Sequence, residues 1–232
     1  MSEVLAVLDK HHHPEAVRAE AKAIADTLGL PVRLIPCPEE GGAVDRSDAI
    51  LAELEQDETL LLVMAGAASP EALCWSVVTA AGKPVVLVPS APQAPAATVG
   101  RVLLPLDGTE ETAAAVTEAV ELLAGAGVTL VALHVFDPST IPPFWDQAAH
   151  TGRAWAEEFL ARNLAEHGAI LEVRAGRPEH EVRSAAVGVG ADLLLMGWSQ
   201  HVEPERAATV RSAVAEGTVP VLLVPLAHAA GR

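Results

Sequence analysis

The sequence predicts a doubly wound α/β protein made of two copies of one unit in tandem, the first copy reduced. Three observations carry this. Short runs rich in Val and Leu alternate along the chain with Ala- and Glu-rich segments of helical periodicity. The runs are apolar throughout, as in parallel strands covered on both faces. Their order then restarts near residue 100 at a fixed offset.

The first run, "EVLAVLD" (3–9), reads as a buried strand. "PEAVRAEAKAIADTLG" (14–29) follows as a helix, with Pro14 in its first turn and Gly29 past its end. "PVRLIPC" (31–37) is a strand and "DRSDAILAELEQ" (45–56) a helix. "TLLLVMA" (59–65) is a strand. "PEALCWSVVTAAG" (70–82) is a helix whose N-terminus is expected at Ser69 as cap and Pro70 as first residue. "PVVLVP" (84–89) is the last strand of residues 1–90. Residues 91–100, rich in Pro and Ala and without charge, read as a linker.

The pattern restarts in residues 101–232. "VLLPLD" (102–107) answers "VLAVLD" (4–9) at an offset of 98, and "GVTLVALHV" (127–135) answers "GLPVRLIPC" (29–37) at the same offset. "LLLMG" (193–197) answers "LLVMA" (61–65), and "PVLLVP" (220–225) answers "PVVLVP". The copies differ in one place. Cys37 and Leu61 are 24 positions apart, whereas Val135 and Leu193 are 58 apart. The surplus includes a helical segment, 144–168, with Trp155 and Phe159 on one face and Gly168 at its end, and a strand, 169–175. The first copy therefore lacks one helix and one strand, and the second is the better place to look for a site.

Composition excludes several classes. The formal net charge is −16, from 31 acidic and 15 basic residues, a field that repels a phosphate backbone. Aromatic residues are 3% and Tyr is absent, so platforms for stacked bases are few. Nucleic acid is not an expected partner. No apolar stretch reaches membrane-spanning length, and the N-terminus lacks the basic region of a secretory signal. Cys37 and Cys74 alone make no disulfide framework. A cytoplasmic protein with reduced thiols is the expectation.

In the second copy, "RVLLPLDGTEETAAAV", "GVTLVALHVFD", "GRPEHEV", "GADLLLMGWSQ" and "GTVPVLLVP" occur in that order. Together they resemble the universal stress protein domain, over about 125 residues, and the likeness extends weakly over 1–90. The matches are Leu106, Asp107, Gly108 and Thr109 after the first strand; His134 and Val135 at the end of the second; Gly176 and Pro178 before the third helix; and "ADLLLMG" (191–197). The resemblance implies two adenine-nucleotide alpha hydrolase-like domains, with strand order 3-2-1-4-5 in the complete copy and the first copy reduced, in a stress-response binding or regulatory module rather than an enzyme. It also implies that "PVVLVP" and "PVLLVP" correspond to the family's dimerising edge. The two halves would then pair there about a pseudo-twofold axis. A homodimer is a further option, and the protein partner stays open.

Ligands of such sheets bind where strand order reverses. That places a cleft between Asp107 and Gly197, with Pro105, Leu106, Asp107, Val135, Met196, Gly197, Ser199 and Gln200 as candidate nucleotide-binding residues. The resemblance implies that adenosine is held by the Asp and the end of the second strand, and triphosphate by a Gly-x-x-Gly loop with a later Gly-Ser/Thr. Here the second glycine is Gln200, the later pair falls on Ala207 and Ala208, and Glu203 and Glu205 would face phosphate, with His201, Arg206 and Arg211 as partial offsets. The expectation is a modified cleft without the family's triphosphate grip. A nucleoside, AMP or cyclic AMP needs less of the loop; ATP remains an alternative. Asp107 could equally do no more than cap the following helix.

Two other chemistries present themselves. "GWSQH" (197–201) approaches the nucleophile elbow of serine hydrolases, with Ser199 as nucleophile and Glu203, Glu205 or Glu216 and His228 as partners. An elbow needs a helix directly after the serine, whereas Pro204 places the helix start later. "DKHHH" (9–13) is a weak metal candidate through Asp9, His11 and His13, suited to Zn²⁺ or Ni²⁺, with a solvated loop as the alternative. Trp198 could line or plug the cleft, or lie in the core.

Overall fold

The computed structural model describes residues 2–94, 96–136, 168–201 and 204–226. Of the helix expected at 144–168, residues 144–167, with Trp155 and Phe159, lie outside them, as do Glu203 and His228. The described residues form β1 (Glu3–Leu8), α1 (Pro14–Leu28), β2 (Val32–Pro36), α2 (Ala43–Leu54), β3 (Thr59–Ala65), α3 (Leu73–Ala80) and β4 (Val85–Val88). The second half adds β5 (Arg101–Pro105), α4 (Glu110–Gly125), β6 (Thr129–Phe136), β7 (Ile170–Ala175), α5 (Pro178–Gly188), β8 (Leu193–Trp198), α6 (Pro204–Glu216) and β9 (Val221–Pro225).

All nine strands join one sheet in the order β2-β1-β3-β4-β9-β8-β5-β6-β7. Read from its outer edge, the second half is the expected 3-2-1-4-5, and the first half is the same without its outermost strand. Within each half the pairs are parallel. The seam between halves is antiparallel, with Val85 opposite Leu223, Val86 opposite Leu222 and Leu87 opposite Val221. Val86 and Leu222 are equivalent positions of "PVVLVP" and "PVLLVP". A residue paired with its own repeat counterpart is the signature of a local twofold axis.

Strand side chains alternate between two cores, as their period of two requires. Leu5, Val7, Leu62 and Met64 join α2, α3, α5 and α6 on one face. Val4, Ala6, Leu61 and Val63 join α1 and α4 on the other. Each buried Leu or Val contributes about 1.5–3 kcal/mol of transfer free energy, so the near-continuous apolar strands are what hold both faces.

Helix ends follow the sequence with two corrections. Gly29 ends α1 in the left-handed region, φ 67. α2 begins earlier than expected, at Ala43, because Asp45 reaches back to accept from Gly42 N at 2.9 Å. α3 begins later than expected, at Leu73 rather than Pro70. Ser69 is not its cap: its hydroxyl donates to Glu71 Oε2 at 2.6 Å, and Ala72 N closes a turn on Ser69 O at 3.1 Å. Trp75 Nε1 also holds Ala67 O at 2.9 Å, fixing 67–72 as a turn.

Candidate functional site

β5 and β8 pair at Val102–Leu193 and Leu103–Leu194 and then separate. Beyond that point, at the reversal of winding, opens a cleft of about 300 Å³. Pro105, Leu106 and Asp107 line it from β5, Val135 from β6, and Met196 and Gly197 from β8. Six of the eight expected residues are thus brought together. Ser199 and Gln200 are not among the residues lining it.

Asp107 is exposed but firmly held. Its carboxylate accepts from Thr109 N at 2.9 Å, Thr109 Oγ1 at 2.8 Å and Thr112 Oγ1 at 3.2 Å. Gly108, at φ 87, makes the turn between them. The N-cap of α4 is Thr109, whose Oγ1 accepts from Thr112 N at 3.3 Å. Asp107 therefore does not cap the helix itself; it orients the residue that does. His134 donates from Nδ1 to Leu106 O at 3.0 Å, and its ring meets Phe136 edge-on, with centroids 4.6 Å apart. These bonds tie the ends of β5 and β6 and fix one wall of the cleft.

Among the lining residues that escaped the sequence reading are two with hydroxyls. Thr112 both lines the cleft and holds Asp107. Thr209 lines it from α6, whereas counting backwards from β9 pointed to Ala207 and Ala208. Ala207 is fully buried in the core. The available signal was that Thr209 is the one hydroxyl residue in the first two turns of α6.

The residues after Gly197 turn away from the cleft. Trp198 is buried and donates from Nε1 to Val78 O at 3.0 Å, with its ring centroid 6.4 Å from that of Trp75. It neither lines nor plugs the cleft; it is a core residue at the seam. Gln200, at φ 61, donates from Nε2 to Ala81 O at 2.7 Å. The position of the family's second glycine thus keeps a glycine-like backbone while carrying a side chain. For the hydrolase alternative, His201 donates from Nδ1 to the backbone oxygen of Ser199 at 2.6 Å, and α6 begins at Pro204. Among the described residues, no helix follows the serine directly, as an elbow requires.

The equivalent mouth of the first half is much smaller, about 60 Å³, lined by Asp9, His12, Cys37 and Cys74 among others. Asp9 accepts from His11 N and pairs with the His12 ring, both at 2.9 Å. Burial pushes its carboxyl upward, but these hydrogen bonds and the nearby imidazoles outweigh burial and hold it below its usual value. His13 instead takes the N-cap position of α1 at φ 48. The ring reaching Asp9 is that of His12, not His11 or His13. Among the described residues, no group of three His, Cys, Asp or Glu is placed to hold a metal ion. Cys37 receives Arg46 Nη2 at 3.4 Å. Burial pushes the Cys74 thiol up to about 11 and keeps it protonated. Among the described residues, no helix is long and apolar enough to cross a membrane.

The fold and its cleft define a doubly wound α/β protein with a ligand-sized opening at a topological switch point. Residues 98–225, more than half of the chain, match the family model described as universal stress protein family, and the chain belongs to that family. Comparison with curated proteins gives no match. A universal stress protein from Archaeoglobus fulgidus matches 97% of this chain and 87% of its own, at 16% identity and TM-score 0.63, which supports the two-copy fold. A universal stress protein in complex with cAMP matches 56% of this chain and 98% of its own, at 21% identity and TM-score 0.42. The protein UspA from Lactobacillus plantarum matches 57% and 99%, at 26% identity and TM-score 0.39.

Proposed function

We propose that the protein is a stress-response binding module whose second half takes a nucleoside or nucleoside monophosphate, AMP or cyclic AMP, in the cleft between Asp107 and Gly197. The observation that carries this is the placement of a rigidly oriented carboxylate, Asp107, opposite a bare backbone, Gly197, in a cleft of about 300 Å³. A carboxylate held by three donors keeps its remaining acceptor capacity for a ribose hydroxyl or base N–H. Glycine lets a ligand approach the main chain. Thr209 adds a hydroxyl from α6. The same geometry disfavours a triphosphate, because Gln200 occupies a glycine position and spends its amide on Ala81. Residues 1–90 act as a reduced, scaffold-like domain, 91–100 as the linker and 101–232 as the ligand-binding domain.

The test is to denature the purified protein, examine the released small molecules by mass spectrometry, and titrate the emptied protein with AMP, cyclic AMP and ATP by calorimetry. Binding of a monophosphate in preference to ATP is the expected result. Silence to all three would leave a scaffold and sink the reading. Ester hydrolysis lost in Ser199→Ala would replace it with the enzyme alternative.

A further inference from the structure

The two copies differ where their helices turn back into the sheet. In the first copy this place is bridged by side chains. Lys83, two residues before β4, donates from Nζ to Gln56 O at 2.7 Å and to Thr59 O at 2.8 Å, across the turn from α2 to β3. Glu55, at the C-cap of α2, accepts from Gly82 N at 3.1 Å. In the second copy the counterpart of Lys83, two residues before β9, is Val219. Ala191 O, the counterpart of Thr59 O, accepts instead from Gln93 Nε2 of the linker at 2.9 Å. Around Val219 opens a cavity of about 480 Å³, with Val187, Gly188, Leu194, Glu216 and Thr218 in its wall. Val187 is apolar and yet 65% exposed.

Two helices end on this cavity, α5 at Gly188 and α6 at Glu216. The last carbonyls of a helix carry partial negative charge, and cations are favoured beside them. Neither last turn contains a basic residue. Ala185 O, Ala186 O and Val187 O accept from Val189 N, Ala191 N and Gly190 N, whereas Gly188 O has no partner among the described residues. Arg183 also lines the cavity, but its charge is answered by Glu216 Oε2 at 2.9 Å and its Nε by Glu179 O at 3.2 Å. The formal net charge of −16 draws cations toward the whole surface.

The geometry points to a binding site for a primary alkylammonium in this cavity. Lys83 of the first copy is the template, because its side chain is an alkylammonium already bridging the equivalent turn. In the second copy the ammonium of a ligand takes Gly188 O. Its methylenes lie against Val187, Leu194 and Val219, and Glu216 with the two helix ends balances the charge. The site is separate from the nucleotide cleft. The cleft opens past Met196 and Gly197, at the far end of β8 from Leu194.

The test titrates the full-length protein by calorimetry with 1,4-diaminobutane and with its uncharged counterpart 1,4-butanediol, at fixed ionic strength. Amide exchange read by mass spectrometry locates the binding. Wild type is expected to bind the diamine at least about tenfold more tightly than the diol, the value of one hydrogen bond to a charged group. Exchange should slow at residues 186–191 and 216–219. Two variants at exposed positions, Val187→Lys and Glu216→Gln, are expected to keep the fold. Val187→Lys brings an ammonium from the chain itself to the last carbonyls of α5, and should weaken diamine binding by about tenfold or more. Glu216→Gln should weaken it by about threefold. Diamine and diol binding equally, or full diamine affinity in Val187→Lys, would overturn the site. Slowed exchange confined to other residues would also overturn it, and assign the diamine to the acidic surface at large.

Discussion

Asp107 and Glu20 show how differently two carboxyls can be used. Asp107 is exposed, and its three donors from Thr109 and Thr112 orient it while leaving acceptor capacity for a ligand. Asp107→Ala is expected to weaken AMP binding by about tenfold or more, the loss of one hydrogen bond to a charged group, measured by calorimetry beside a thermal melt. Glu20 is the reverse case. It is 4% exposed on α1, its Oε1 has no partner among the described residues, and Asp192, of the same sign, acts on it electrostatically. Asp192 is itself fixed by Gly100 N and Arg101 N, at 2.8 and 2.9 Å. Burial first, and Asp192 second, push the Glu20 carboxyl up to about 7. A raised acid binds its proton more tightly in the folded chain, so its contribution is fully present below pH 4.5 and is lost as pH rises through 7. A shift of that size corresponds to about 3 kcal/mol. Urea titrations between pH 4.5 and 8 should show this decline in wild type and not in Glu20→Gln. A parallel decline in the variant would assign the pH dependence elsewhere.

At the level of elements, the strands and most helix ends were readable in the sequence because each is set by a local rule. Gly29 is an instance: an open left-handed cap with nothing within 4 Å of an added Cβ. Gly29→Ala should therefore cost about 1 kcal/mol through backbone strain alone, visible as a shift in urea midpoint with unchanged slope. The misreadings were made by contacts that sequence spacing does not encode. Ser69 had the composition of a cap, but Glu71 and Trp75 compete for its turn. Counting back from β9 pointed to Ala207 and Ala208, but the turn of α6 buries Ala207 and gives Thr209 to the cleft. For Trp198 the sequence left cleft and core both open, and its partner lies 120 positions away, at Val78. Asp107, Val135 and Gly197 were legible because they end strands, and the ends of strands at a winding reversal are where the backbone itself opens a space. Gln200 was legible as a departure from a glycine but not as a bond to Ala81.

For the molecule as a whole, the seam decides cooperativity. Val86 is fully buried and Leu222 nearly so at the antiparallel pairing of β4 with β9, and residues of both halves share each core. Val86→Asp buries an unpaired charge at this point and should cost more than about 3 kcal/mol. Wild type should unfold in one transition by both circular dichroism and tryptophan fluorescence. Two separated transitions in wild type would show the halves to be independent. The antiparallel seam has a further consequence. In an assembly of two identical chains every substitution is made twice, so a change that remodels one opening remodels the other. Here the axis is internal to a single polypeptide and binds each copy to the other in a fixed one-to-one ratio. Each opening is then free to drift alone. The opening beside Asp9 and His12 is about 60 Å³ and its twin about 300 Å³, so the two copies differ in size within one chain.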